Sequence, residues 1–259
     1  MDWLYPLSGM VVGVIVGLTG VGGGSLMTPL LVLVFGFAPA VAVGTDLLYA
    51  AFTKMGGSVA HSRRGTVHWN IVGWMALGSV PASIVTTAFL HSLGTDATHF
   101  NSLITSSLGI ALILTAGAII FRGRLAQYAA HDAAAHPGWR EKKIVPITVF
   151  TGVVLGVLVT ISSIGAGALG TVALFFLYPK LRATHIVGTD IAHAVPLTLV
   201  AGLGHAALGT VNWVLLASLL VGSLPGIWIG SHLSSRVPEK WLRTALATML
   251  LVIGGKFVF

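Results

Sequence analysis

The sequence predicts an all-α, polytopic membrane protein made of two inverted repeats, each a glycine-broken hairpin element followed by three transmembrane helices. Three observations carry this: an apolar composition, a self-match between the two halves, and a one-sided distribution of basic residues. Of 259 residues, 55% are hydrophobic and only 8% charged, with a mean hydropathy of +0.94; soluble domains carry roughly 25% charged residues. Apolar runs of membrane-spanning length recur, such as "WNIVGWMALGSVPASIVTTAFL" from Trp69 and "VNWVLLASLLVGSLPGIWIG" from Val211, each near the roughly 20 residues that a crossing helix needs. Runs of this kind point to helices rather than a barrel. The opening "MDWLYPLSGMVVG" lacks the basic start and small-residue cleavage site of a secretory leader, so Met1 onward is read as mature protein. The absence of cysteine excludes disulfide and thiol chemistry.

Compared with itself at an offset of 144, the chain pairs "GTDLLYA" at Gly44 with "GTDIAHA" at Gly188. It likewise pairs "HSRRGTVHW" at His61 with "HAALGTVNW" at His205, and "GSVP" at Gly78 with "GSLP" at Gly222. Residues 44–81 hold 12 identities in 38 positions, and these fall on Gly, Asp, His, Trp and Pro, which shared hydrophobicity alone does not place. At offset 143, "GVIVGLTGVGGG" from Gly13 matches "GVLVTISSIGAG" from Gly156. The organisation expected is therefore a first repeat over 1–121, a polar cytoplasmic linker over 122–143 and a second repeat over 144–259.

If each glycine-broken element folds back on itself, a half makes an odd number of net crossings and the second half enters the membrane inverted. Basic residues then mark the inner side. Under that topology Arg63 and Arg64, the linker's Arg122, Arg124, Arg140, Lys142 and Lys143, then Lys180, Arg182, Arg236, Lys240 and Arg243 all face inward. These are 12 of the 14 Lys and Arg residues, and the outer segments hold none. With eight continuous crossings, Lys180 and Arg182 would face outward instead. The net charge of +7 is thus a topology signal, and no nucleic-acid partner is expected.

The stretch "GLTGVGGGSLMTP" from Gly17 breaks helix inside an otherwise lipid-compatible segment. Such backbone is tolerated at membrane depth only against protein or a water-filled cavity. Paired interrupted segments in two halves mark a midplane site where half-helix N-termini meet an anion. The substrate-binding expectation therefore falls on Gly22, Gly23, Gly24 and Ser25 in the first half and on Gly165 and Gly167 in the second. The competing reading is that these glycines only allow close helix packing.

"GVGGGSLMTPLL" followed by "GTD", repeated more loosely as "IGAGALGT" and "GTD", resembles the TauE/SafE sulfite exporter family of membrane permeases over nearly the whole chain. The resemblance implies transport of small anions such as sulfite, sulfoacetate or related organosulfonates, coupled to a proton or ion gradient. Ala166 and Ala168 stand where the first half has Gly23 and Ser25, which makes the two half-sites unequal.

Asp46, Lys54 and Asp190 are the ionisable residues expected well within membrane helices, where they are functional hypotheses by default. Asp46 and Asp190 are repeat mates just after Gly-Thr; each either caps a first helical turn or handles a coupling ion or proton. Lys54 has Thr198 as its mate, an asymmetry suited to a substrate-binding cation, although a lysine there can also snorkel toward the interface. His193 follows Asp190 by three residues, close enough to share its proton. His61 and His205 are mates at helix ends. Asp132 and His136 have a metal-compatible spacing in an Ala-rich segment that reads as solvated, so neither metal nor cofactor is expected.

The function expected is a secondary transporter, an exporter working by alternating access around a midplane site, in the plasma or inner membrane as a multi-pass protein. Its partners are a small anionic substrate and the lipid bilayer; association into a homo-oligomer is left open. A passive channel is the alternative, and an intramembrane hydrolase a weaker one, since neither G-x-S-x-G nor H-E-x-x-H occurs. No nucleotide-binding loop pattern is present.

Overall fold

The computed structural model describes residues 3–19, 24–93, 97–135, 137–233 and 239–258. The chain is all-helical over these residues. The first half contains α1 (Leu4–Thr19), α2 (Gly24–Leu33), α3 (Pro39–Arg63), α4 (Trp69–Ser92) and α5 (Ala97–Ala135). The second repeats the series as α6 (Pro137–Ser162), α7 (Ala168–Leu177), α8 (Ala183–Ala207), α9 (Trp213–Leu233) and α10 (Glu239–Val258). The broken elements are thus α1 with α2 and α6 with α7, each a longer helix and a half-helix of 10 residues. The polar stretch 122–143 is helical on both sides of His136, because α5 runs on to Ala135 and α6 starts at Pro137.

Among the described residues, five helical stretches are long and apolar enough to cross a membrane: Trp69–Ser92, Asn101–Leu125, Lys143–Ser162, Ala183–Ala207 and Trp213–Leu233. The helix α3 has 25 residues but is less apolar, because one side carries Thr45, Asp46 and Lys54 into the interior. Polar groups are gathered inside, with Thr189, Asp190, His193 and His205 also buried. Large apolar side chains such as Trp74, Val85, Phe150, Val221 and Trp228 point outward. A bilayer accepts that distribution; water would not.

Repeat-mate helices end alike. After α3 and α8 the chain turns at Gly65 (φ 66°) and Gly209 (φ 73°), left-handed positions that glycine fills without a Cβ clash. The amides of Thr66 and Thr210 return to the carbonyls of His61 and His205 at 3.1 and 3.0 Å, satisfying terminal carbonyls.

The halves are interlocked rather than set side by side. The first helix of each packs on the fourth of the other, α1 on α9 and α6 on α4, while α3 pairs with α8 and α5 with α10. Small residues permit this approach. A Cβ on Gly9 or Gly13 would meet the Leu219 or Ser223 carbonyl at 2.4 or 2.6 Å. One on Gly152 or Gly156 would meet the Met75 or Ser79 carbonyl at 2.2 or 2.5 Å. Gly13, Gly17 and Gly156, which opened the repeated motif, are therefore packing glycines in helices. Gly165 and Gly167 are different: their φ angles of 112° and 144° bend the chain between α6 and α7.

Candidate functional site

The site forms where the second-half break meets the middle of α3. Helix α6 stops at Ser162, and the chain passes through Ser163 and Gly165 to Gly167 before α7 starts at Ala168. Ser163 adopts φ 58°, uncommon for a residue with a Cβ. Its repeat mate at offset 143 is Gly20. The amide of Gly170 bonds to the Gly165 carbonyl at 3.1 Å and that of Thr171 to the Gly167 carbonyl at 3.2 Å. Among the described residues the amides of 165–169 have no acceptor. They form the positive end of a half-helix, the backbone chemistry that suits an anion.

Lys54 reaches this break. Its side chain is buried, at 7% exposed, and Nζ donates to the backbone carbonyl of Ala166, 112 residues away. The alternative in which this lysine snorkels to an interface is not the geometry observed: the ammonium is turned inward, onto the glycine-broken segment. The lysine lies within electrostatic range of both Asp46 and Asp190. A buried cation of this kind is expensive unless something compensates it, and here a carbonyl and two carboxylates share that task.

Asp46 and Asp190 do not cap their helices. Each is the eighth residue of its helix, and neither α3 nor α8 has an acid in its first turn or a side-chain cap. The capping expectation failed because "GTD" lies two turns inside helices that begin at Pro39 and Ala183. Each carboxylate is instead gripped by a threonine of its own half-helix. Thr28 of α2 donates to Asp46 Oδ2 at 2.5 Å, and Thr171 of α7 donates to Asp190 Oδ2 at 2.9 Å. The two threonines are mates at offset 143. Ser163 adds a third-segment donor to Asp46 Oδ2 at 3.0 Å, so that carboxylate joins the first-half half-helix to the second-half break. The other oxygen of each acid, Oδ1, is buried without a partner among the described residues. At Asp190 it lies over Gly170, where a Cβ would come within 2.0 Å of it.

His193 is buried, and its Nε2 lies 2.8 Å from Ser79 Oγ on α4; the expected partnership with Asp190 is replaced by this link to the first half. In the first-half element, Gly22 and Gly23 lie outside the described residues. Gly24 opens α2, and Ser25 is buried with its hydroxyl unpartnered among the described residues. The side chain of Asp132 and residue His136 also lie outside the described residues. Among the described residues no three His, Cys, Asp or Glu side chains gather as a metal would require.

Sequence reasoning missed Thr28, Thr171, Ser163 and Ser79. The threonines were within reach, because the same offset that pairs the glycines pairs them. Ser163 gave no sign, since its role depends on a helix break meeting another half's carboxylate.

Residues 5–257 match the family described as sulfite exporter TauE/SafE. The chain is 41% identical over 257 residues to the probable membrane transporter protein YjnA of Bacillus subtilis, covering 97% of this chain and 98% of that protein. It is 27% identical to the probable membrane transporter protein YdhB of the same organism, over 96% and 97% of the two chains. It is 26% identical to the probable membrane transporter protein MJ0441 of Methanocaldococcus jannaschii, over 97% and 93%. No solved structure matches the chain.

Proposed function

The chain belongs to the sulfite exporter TauE/SafE family of membrane transporters, and we propose that it is a secondary transporter exporting small anions such as sulfite or organosulfonates. One observation carries the reading: a buried ammonium, that of Lys54, is delivered to the carbonyl of a helix break whose following amides have no acceptor among the described residues. A cation and a half-helix N-terminus at one point replace the hydration that an anion gives up on leaving water. Gly165 and Gly167 bind the substrate from the second half, and Gly22, Gly23, Gly24, Ser25 and Lys54 from the first. Asp46, Asp190 and His193 serve coupling. Alternating access fits an interlocked architecture in which each half's first helix rides on the other half. On the charge distribution, the 122–143 segment faces the cytoplasm of a plasma or inner membrane.

The test is flux of labelled sulfite and sulfoacetate in vesicles containing the purified protein, with and without a pH gradient. Accumulation against the anion gradient identifies a coupled transporter. Simple equilibration would identify a channel, and chemical conversion of the anion an enzyme.

A further inference from the structure

We propose that the coupling ion is the proton, carried on the two repeat-related carboxylates Asp46 and Asp190, with anion binding drawing one proton onto each. The inference rests on the transport reading above and specifies its coupling as joint passage of protons with the anion, the direction being set by the sum of the two gradients.

The argument begins with the sum of charges. With Asp46, Lys54 and Asp190 all ionised, the group totals one negative charge and repels an anion arriving at the Ala166 segment. One proton makes the group neutral; a second leaves the Lys54 ammonium as its only charge. Each step turns a carboxylate into a carboxylic acid by forming an O–H bond, and no other bond changes. An anion therefore binds best when both acids are protonated, and by linkage its binding draws protons in.

The coordination around the acids points the same way. Hard metal cations take several oxygen ligands, whereas a proton needs one. Each carboxylate presents one such oxygen: Asp46 Oδ1 and Asp190 Oδ1 are buried and have no partner among the described residues, while Oδ2 is held by Thr28 and Ser163 or by Thr171. The nearby oxygens that could complete a metal shell are engaged. Thr28 and Ser163 direct their hydroxyls at Oδ2, the Ala166 carbonyl receives Lys54, and Asp190 Oδ1 rests against the α-carbon of Gly170.

Among the described residues the titratable groups around the pair are few. On α3 they are Tyr49, one turn from Asp46, and Lys54; on α8, His193, turned to Ser79 of α4. The segments facing the acids from α2, the α6–α7 break and α7 contribute Thr28, Ser163 and Thr171, none of which titrates near neutrality. Arg122 of α5 stacks on the Phe175 ring of α7.

Two measurements on the purified, detergent-solubilised protein decide this. In calorimetry, sulfoacetate, which stays fully ionised near neutral pH, is titrated in buffers of different ionisation heat. The wild type is expected to take up about two protons per anion. Asp46→Asn and Asp190→Asn, which keep an oxygen for the threonine, should each take up one fewer and still bind, and exchanging sodium for choline should change nothing. Binding without proton uptake, or a saturable requirement for sodium, overturns the proposal. In infrared difference spectra across pH, the ligand-free wild type is expected to show buried carboxylic-acid bands. The chain has 7 acidic residues, and Asp46 and Asp190 are the buried ones among the described residues. If the wild type binds no sulfoacetate, the substrate reading falls while the spectra still decide the proton sites: the bands support them and their absence overturns them. The spectra need no variant, so misfolding of either Asn variant leaves the test intact.

Discussion

Thr45 Oγ1 accepts the backbone N–H of Asn212 at 3.0 Å, and its repeat mate Thr189 accepts that of His68 at 3.0 Å. Each hydroxyl of one half thereby satisfies an amide at the start of the other half's fourth helix, one of the donors that helix geometry leaves open. Glycine makes room beside each threonine: a Cβ on Gly44 would lie 2.7 Å from the Thr210 carbonyl, and one on Gly188 would lie 2.8 Å from Thr66's. Both threonines are fully buried. Thr45→Val and Thr189→Val should each destabilise the fold by about 1–3 kcal/mol, because a buried amide loses its acceptor. The two losses should add, the sites being separate. Unfolding in detergent, followed by circular dichroism for both singles and the double, measures this.

Helix packing supplies a sharper contrast. A Cβ on Gly222 would fall 1.7 Å from the Pro6 carbonyl, and one on Gly78 2.0 Å from that of Val149. Both neighbours are backbone, so a whole helix has to move. Gly222→Ala and Gly78→Ala should each cost about 3 kcal/mol or more, the upper end of overpacking. Gly73, on the same helix as Gly78, has nothing among the described residues within 4 Å of its Cβ position, and Gly73→Ala should be neutral or stabilising by up to about 1 kcal/mol. Yield of monodisperse protein and melting temperature separate the two classes.

Ser163 combines a left-handed backbone with a hydrogen bond to Asp46. Ser163→Gly loses the bond and relieves the backbone; Ser163→Ala loses the bond and keeps the strain. The alanine variant should therefore be less stable than the glycine variant by roughly 1–2 kcal/mol. Equal stability of the two in the same unfolding assay would show that the left-handed turn stores nothing.

Lys54→Gln should weaken binding of the transported anion at least roughly tenfold, or about 1.4 kcal/mol, with folding retained. Glutamine can still donate to the Ala166 carbonyl, so the loss isolates the charge from the tether. Lys54→Arg should not restore affinity, because its planar fork needs space that the buried ammonium does not. Calorimetry on purified protein reads both variants, and an unchanged dissociation constant removes Lys54 from the site.

The cysteine-free chain permits single-cysteine topology mapping. A cysteine at position 130 should be labelled by an impermeant reagent only in opened or inverted vesicles, as the inward placement of basic residues requires. Labelling from outside intact cells would reverse the assignment of sides.

The helical membrane architecture was legible in the sequence because a bilayer imposes it locally. Every backbone polar group in lipid must be satisfied within a helix, so apolar run length alone exposes the spans. The repeat was legible because the residues doing geometric work, such as Gly44 and Gly188 or Gly78 and Gly222, recur at one offset. The capping alternative for the acids failed where a local rule stood in for missing distance information. "GTD" resembles a helix start, and only the position of Pro39 and Ala183 shows it to be two turns inside.

By itself the sequence determined the membrane class, the doubled organisation, the two breaks and the short roster of ionisable residues inside the membrane. Each follows from chemistry that acts along the chain: hydropathy, helix-breaking residues and the expense of charge in lipid. Only the tertiary structure decided that Lys54 of the first half meets Ala166 of the second, that Thr28 and Thr171 hold the two carboxylates, and that Ser163 ties Asp46 to the opposite break. The contacts of Lys54 and Ser163 span the repeats, whose interlocking sets the first helix of each half on the fourth of the other. That packing is set by small residues fitting against a distant backbone, so spacing within either partner alone does not reveal it.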